Sequence, residues 1–469
     1  MTYRIFGYPL LLLLTLLLAG CVVGPDYQRP EMDVPVAYKS DAPWKEAEPK
    51  TVLAKGAWWT VYGDPLLDDL EQQAIAANQD LRVALARLEQ VRTGLRLSKA
   101  DRFPDISLNG SATRSRTAPD FTMTGEGETG NVFSLPFYLG YEIDLWGRAR
   151  RSVEAASADV EQAQADYQGI LLSLQADVAR TYFDLRALDN EILLLEQTLG
   201  LLEEALELVD SQYRNGQVSQ LSLMQARTEL AKTRAEAVAL EKIRNELVNT
   251  LALLIGKPAS EFTVPTKAHE LKPPAIAAGL PSHLLERRPD IAAAERRMGA
   301  TSARIGVAKT AFFPTISLTG SAGLSSGEVY SLFDWDNRTW GLGPAIYLPI
   351  FDAGRNSASL DRVRLVYEEA VAVYRQQVLQ AFREVEDGLQ GLDVLSRQAV
   401  LLEQAARSAG TAWELSGKRY QAGYVSYLEV IDTQRTALEI ARALTRLQGQ
   451  QMTTSVLLIK ALGGGWQGV

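Results

Sequence analysis

Arg102-Phe103-Pro104-Asp105-Ile106-Ser107-Leu108-Asn109-Gly110-Ser111-Ala112 returns 210 residues later as Phe312-Phe313-Pro314-Thr315-Ile316-Ser317-Leu318-Thr319-Gly320-Ser321-Ala322. Further along, Tyr213-Arg214-Asn215-Gly216-Gln217-Val218-Ser219 returns as Tyr420-Gln421-Ala422-Gly423-Tyr424-Val425-Ser426, now at an offset of 207. Gly147-Arg148 and Gly354-Arg355 keep that second offset, as do Gly256 and Gly463. The length change therefore falls between about Thr113 and Tyr141, where an exposed loop tolerates it. Two tandem copies, over 66–257 and 284–463, make up most of the chain, and a fixed internal period is the signature of a repeated structural unit.

Each copy holds two kinds of structure. All nineteen prolines avoid 137–257 and 350–469, as expected of long helices, whose interiors exclude a residue without an amide hydrogen. In the first stretch Ile192, Leu195, Leu199, Leu202, Leu206, Val209 and Tyr213 are spaced three and four apart; in the second, so are Val378, Phe382, Val385, Leu389 and Leu392. These are coiled-coil seams. The pattern predicts helices over about 66–100, 148–213 and 218–255, and again over 284–310, 355–420 and 426–461. At 1.5 Å per residue the longest spans ~100 Å.

Between the helices the period drops to two. Phe133, Leu135, Phe137, Leu139, Tyr141, Ile143 and Leu145 alternate with small or polar residues, as do Ile316, Leu318, Gly320, Ala322 and Leu324, and then Trp340, Leu342, Pro344, Ile346, Leu348 and Ile350. That pattern predicts strands with unlike faces, over about 103–117, 131–145, 312–325 and 338–350. Each is long enough to cross a bilayer, which takes ~9–11 tilted residues. Four strands cannot close a barrel, and lipid tolerates no open edge. Chains that pool their strands solve this, three copies giving twelve, an even number within the bacterial range. The competing reading is a water-soluble four-stranded sheet with one buried face.

The N-terminus supplies an address. One basic residue, Arg4, precedes an apolar run from Leu10 to Leu18 that Thr15 alone interrupts. This is the layout of a secretory signal, and it is too short to span a membrane. It ends Leu18-Ala19-Gly20-Cys21, and Cys21 is the single cysteine of 469 residues. Cleavage after a signal at 1–20 would leave a thiol to be diacylglycerylated, and two or three acyl chains anchor stably where one does not. Val22 stands where Asp would retain the protein in the inner membrane. With 48 Lys and Arg against 57 Asp and Glu, and no basic run, the acidic balance argues against nucleic acid as a partner.

Three ordered motifs carry a family resemblance. Cys21-Val22-Val23-Gly24-Pro25-Asp26-Tyr27-Gln28-Arg29-Pro30, then Trp58-Trp59 with Tyr62-Gly63-Asp64-Pro65-Leu66, then Leu280-Pro281-Ser282-His283-Leu284-Leu285-Glu286-Arg287-Arg288-Pro289-Asp290-Ile291 resemble the outer-membrane factor family. These are TolC-like channels of tripartite efflux pumps, and the likeness is to their lipoprotein branch of the OprM/NodT type. The resemblance implies a mostly α fold with a membrane β-barrel portion, a trimer with twelve strands above about twelve tunnel helices. It also implies an equatorial belt from 21–65, 258–283 and the tail at 464–469. The implied partners are outer-membrane lipid, a periplasmic adaptor (membrane fusion) protein and an inner-membrane transporter of the RND type. No cofactor is called for beyond the covalent lipid on Cys21.

The glycine turns at Gly216 and Gly423 lie far along the chain from the strands and so mark the periplasmic tip. Gly216, Val218, Ser219, Gly423, Val425 and Ser426 would face the adaptor there. Carried over by position, Leu428 and Asp432 would form apolar and acidic constriction rings, and Arg419 and Tyr420 would latch the inner helix pair. Read without the family, Asp432 is a solvated helix residue and Leu428 part of a seam. Glu429 stands where relatives often have Asp, and Ser222 where some have an acidic latch partner, which leaves Arg419's partner open.

Enzymatic chemistry has no evident seat. His269 and His283 lack metal-ligand spacing, and no phosphate-binding Gly-rich loop is present. Two further classes remain, a pore-less coiled-coil envelope lipoprotein and a lipid-held cell-wall enzyme.

Overall fold

The structure, a computed structural model, describes residues 22–32, 34–35, 38–39, 56–121, 123, 125–276 and 287–465. The expected signal segment 1–20, the expected lipidation site Cys21, His283 and residues 466–469 of the tail lie outside the described residues. The chain forms two compact units. The first gathers the N-terminal segment to Glu31 with Arg87–Gln164 and Ala293–Tyr374; the second gathers the remainder.

The first unit is built on a sheet of β1 (Asp105–Leu108), β2 (Ser111–Thr117), β3 (Glu128–Ile143), β4 (Thr315–Ser326) and β5 (Arg338–Tyr347). Its antiparallel order is β1-β3-β4-β5, with β2 also on β3. The strand expected over 103–117 is thus two, and Pro136 is the reason. Asn109 donates its amide to Pro136 O at 3.1 Å, but proline has no N–H to return, so the ladder lapses for two residues. The register resumes unchanged, with Leu108 opposite Phe137 and Ser111 opposite Ser134. β5 stops at Tyr347, short of the expected 350.

Registers align the alternation across the whole sheet. Leu139 faces Gly320, which faces Leu342; Phe137 faces Ala322, which faces Trp340. One face therefore collects Ile106, Leu108, Phe137, Leu139, Leu342 and Ile346, and the other collects serines, threonines and glycines. The apolar side chains on the outer strands are exposed: Trp340, Leu342 and Ile346 on β5, and Ile106 and Leu108 on β1.

The segment that opens with the lipoprotein-like motif is strapped to this unit. Val23 donates to Trp146 O at 3.1 Å. Asp26 pairs with the buried Arg151 at 2.8 Å, and Arg29 donates to Tyr374 Oη at 3.1 and 3.0 Å. Gly24 lies so close to Gly306 that a Cβ would come within 2.5 Å of its Cα.

The helices are α1 (Pro65–Ala77), α2 (Gln79–Ala100), α3 (Arg148–Arg214), α4 (Gln220–Leu254), α5 (Pro289–Thr310), α6 (Arg355–Gln421) and α7 (Tyr427–Ala461). The helix expected over 66–100 is two because Asn78 is extended. Its side chain accepts from Leu81 N and donates to Leu254 O, each at 2.9 Å. The helix expected from 284 is seen from Pro289, residues 284–286 being outside the described ones. Among the described residues no helix is long and apolar enough to cross a membrane.

In the second unit the signature residues have structural tasks. Trp58 is fully buried and donates to Gln175 Oε1 at 3.0 Å. Gly63 turns left-handed before Asp64, which caps α1 by accepting from Leu66 N at 2.9 Å, with Pro65 opening the helix. Arg288 reaches Asp290 at 2.6 Å, Glu384 at 2.8 Å and Ala461 O at 3.0 Å. The inter-repeat segment is held by a buried cluster. Asp189 takes Arg186 and Arg244 at 2.8 Å each, while those arginines donate onward to Pro265 O and Val264 O. Asn190 exchanges two hydrogen bonds with the backbone of His269.

Glu71, on the buried face of α1 with Leu67, Leu70 and Ala74, is fully buried. Both of its carboxyl oxygens lack a hydrogen-bond partner among the described residues. Burial, aided by the nearby Asp68, holds its pKa well above the ordinary carboxylate range. A carboxyl whose pKa is higher folded than unfolded penalises the fold as pH rises past its unfolded value of about 4.3. Glu71→Gln is therefore expected to raise the melting temperature at pH 8 and leave it unchanged at pH 4, a contrast that calorimetry at the two pH values checks.

Candidate gate at the helical turns

The turns joining α3 to α4 and α6 to α7 are built alike. Gly216 and Gly423 sit at φ +72° and +79°. Around the first, Gly216 N bonds Tyr213 O and Gln217 N bonds Gln212 O; around the second, Gly423 N bonds Tyr420 O and Tyr424 N bonds Arg419 O, all at 2.9 Å. This paired closure requires a left-handed residue at its corner, which explains why glycine recurs there. Ser219 caps α4 by accepting from Ser222 N at 3.3 Å, so Ser222 is part of the turn itself. Val218 and Val425 are half-buried, Val218 against the core beneath; Ser219, Ser426 and Tyr424 are exposed.

Beneath the turns Val209, Leu223, Ala226, Tyr427 and Ile431 form a buried cluster, with Tyr420 packed on its edge. Tyr427 and Ile431 therefore occupy the seam of α7. Leu428 lies outside it, 47% exposed, and Asp432, one turn on, is exposed on the same side. The structure thus brings Leu428 and Asp432 together on a face that the chain does not cover.

Tyr420 donates to Gln212 Oε1 at 2.7 Å, joining copy 2 to copy 1, and its ring lies 5.4 Å from that of Tyr427. Burial, with Tyr420 and Glu229 nearby, pushes the Tyr427 phenol up to about 12. Arg419 pairs with Glu429 at 3.5 Å, within its own hairpin. Both groups are about half exposed, and such pairs contribute little, typically 0–1 kcal/mol.

Stronger ties between the copies lie further along and escaped the sequence reading. Arg435 donates to Glu229 at 2.9 Å. Arg442 reaches Glu191 at 2.8 Å and Glu236 at 2.7 Å, and Arg446 reaches Glu191 at 2.7 Å. Burial alone would raise the Glu191 pKa, but Arg446 and Arg442 hold it below the ordinary range. The acids come from copy 1 and the arginines from copy 2. At the offset of 207, Glu229 corresponds to Thr436 and Arg442 to Ala235. Places where the copies diverge toward opposite charge were the available signal.

Comparison with known proteins follows the repeat. The family model described as outer membrane efflux protein matches residues 70–257 and 280–464. The chain is 34% identical over 454 residues to the probable efflux pump outer membrane protein TtgC of Pseudomonas putida, covering 96% of this chain and 94% of that one. It is 33% identical over 459 residues to the outer membrane protein OprJ of Pseudomonas aeruginosa, covering 97% and 95%. Among solved structures, the Campylobacter jejuni CmeC outer membrane channel superimposes with a TM-score of 0.88 at 26% identity, over 95% of this chain and 96% of that one.

Proposed function

The chain belongs to the outer membrane efflux protein family, and from that premise we propose that three copies form one lipid-anchored, gated conduit. It is an outer-membrane efflux channel, open to the periplasm. The sheet supports pooling of strands, since its two outer strands carry exposed apolar residues and unpaired backbone that lipid would not tolerate. Diacylglyceryl on Cys21 supplies the anchor, and an adaptor meets the turns at Gly216 and Gly423. An inner-membrane transporter of the RND type supplies the energy, because the chain offers no phosphate-binding loop of its own. It acts as a conduit rather than a catalyst.

The observation that carries the gate is the uncovered pair Leu428 and Asp432 on α7. Three copies brought round one axis at this level present an apolar ring and an acidic ring. The apolar ring excludes water, and the acidic ring concentrates cations and repels anions. Purified full-length chain in a planar bilayer is expected to give a small, cation-preferring single-channel conductance at rest. A large, unselective conductance in the unmodified protein would rule out a resting constriction of this kind.

A further inference from the structure

Glycines inside the helices of copy 2 divide them into a close-packed part and an open part. Far from the turn there is no room for a side chain. A Cβ on Gly449 would come within 2.6 Å of Ala187 Cβ on α3, one on Gly388 within 3.1 Å of Leu458, and one on Gly391 within 3.4 Å of Thr454. Nearer the turn, a Cβ on Gly410 or Gly417 would meet no described atom within 4 Å. Glycine is the weakest helix former after proline, and no close approach within the chain asks for it at these two positions.

At the offset of 207 their counterparts in copy 1 are Glu203 and Asp210. Both acids tie α3 to α4, Glu203 through Arg234 and Asp210 through Arg227 at 3.4 Å. Gly200 of α3 also has open space around it, but both ties lie between it and the turn. Copy 1 is therefore braced across its helical hairpin at the two positions where copy 2 is relaxed.

Ser416 and Thr433 share a hydrogen bond of 2.7 Å that sets α6 in register with α7. Gly417 is thereby level with Asp432, and Gly410 lies about two turns farther from the tip, just past the level of Arg435. From Arg435 onward α7 is fastened to copy 1. Arg435 holds Glu229, Arg442 and Arg446 hold Glu191, and Gly449 lies against Ala187. On the tip side the attachment to copy 1 is the apolar cluster around Val209 and the bond from Tyr420 to Gln212.

Resting on the gate reading above, we propose that Gly410 and Gly417 are the hinge residues of the gate. Copy 2 bends at them to swing a short arm that carries Leu428 and Asp432, while copy 1 stays straight. The arm ends at Arg435, where the ties to copy 1 begin. A hinge must absorb a change of backbone angle without giving up contacts, and a glycine in open space gives up none. Leu428 and Asp432 both lie on the tip side of Arg435, so one bend moves the apolar and the acidic position together.

Spin labels tell the two copies apart. Full-length chain in lipid nanodiscs is labelled at Tyr424→Cys on the copy 2 turn or at Gln217→Cys, its counterpart in copy 1, both exposed, with unsubstituted chain as the labelling control. Pulsed dipolar spectroscopy between subunits is expected to give a broad distance distribution for Tyr424→Cys and a narrow one for Gln217→Cys. Gly410→Ala with Gly417→Ala adds two methyl groups where there is room for them. It should narrow the Tyr424→Cys distribution to the width seen at Gln217→Cys and make full openings in a planar bilayer rarer, with cation preference unchanged. Glu203→Gly with Asp210→Gly brings the same chemistry to copy 1 and should leave the frequency of openings at the wild-type level. Equal widths at the two turns, or a Tyr424→Cys distribution that stays broad in the alanine variant, overturns the hinge. Loss of the trimer in that variant, seen by native mass spectrometry, also overturns it, since the glycines would then serve close packing between subunits. The expected widths together with wild-type conductance in Leu428→Ala, Asp432→Ala would support the hinge and remove the constriction from those two residues.

Discussion

Replacing Leu428 and Asp432 together by alanine is expected to raise the resting single-channel conductance several-fold and to abolish its preference for cations. Leu428 is half exposed and makes no part of the cluster formed by Val209, Leu223, Tyr427 and Ile431. Truncating it therefore removes little buried surface, and thermal stability should stay near the wild-type value. In the proposed constriction the two side chains would act differently: the apolar ring would narrow and dewet the passage, and the carboxylate ring would set the sign of the ion that passes. Asp432→Asn alone should thus weaken cation preference with a modest change in conductance, and Leu428→Ala alone should do the reverse. Ile431→Ala serves as the contrast: it opens a cavity in the seam and should lower the melting temperature, because large-to-small changes in a core cost ~2–5 kcal/mol. Wild-type conductance in the double variant would mean that the constriction lies elsewhere.

The long helices were legible because proline is absent over two stretches and the apolar spacing is regular; Leu195, Val209, Val378 and Val385 are all fully buried. The turns were legible because only glycine closes them, and Gly216 and Gly423 both proved left-handed. The break in the first strand was not, since its cause lies on another strand: Pro136 withholds a hydrogen bond from Asn109. The bend at Asn78 was hidden for a similar reason. Its side chain accepts from Leu81 N and donates to Leu254 O, 176 residues away, and no local pattern encodes such a partner. For the gate, the reading made without the family put Leu428 in a seam, whereas Tyr427 and Ile431 fill that seam and Leu428 lies outside it. Periodicity alone cannot fix the phase of a helix whose neighbour is unknown. The charge ladder of Glu191, Glu229 and Glu236 against Arg435, Arg442 and Arg446 needed the two copies to be laid side by side in space.

Asp189→Ala is expected to be the most damaging single change to the fold of the second unit. The Asp189 carboxylate is fully buried and accepts from Arg186 and Arg244, and Arg186 is itself almost wholly buried. Removing the acid leaves two guanidinium groups facing each other without their shared counter-charge. Losing one member of a buried ionic group in this way costs ~3–5 kcal/mol. The damage has a direction. Arg186 and Arg244 each spend a further donor on the backbone of the inter-repeat segment, at Pro265 O and Val264 O. When their orientation fails, that segment loses its attachment to α3 and α4. Trypsin should then cut at Lys257, Lys267 or Lys272 at concentrations that leave wild type intact, and the melting temperature should fall by several degrees. Asp189→Asn keeps the shape and two acceptor lone pairs but removes the charge, so its loss should be smaller. Equal, negligible losses in both variants would mean that the arginines find water or other acceptors and that the segment is held by packing alone. The neighbouring Asn190, which exchanges two hydrogen bonds with His269, supplies the control. Asn190→Ala should loosen the segment near His269 and raise cleavage at Lys267, yet spare most of the melting temperature, because no buried charge is orphaned.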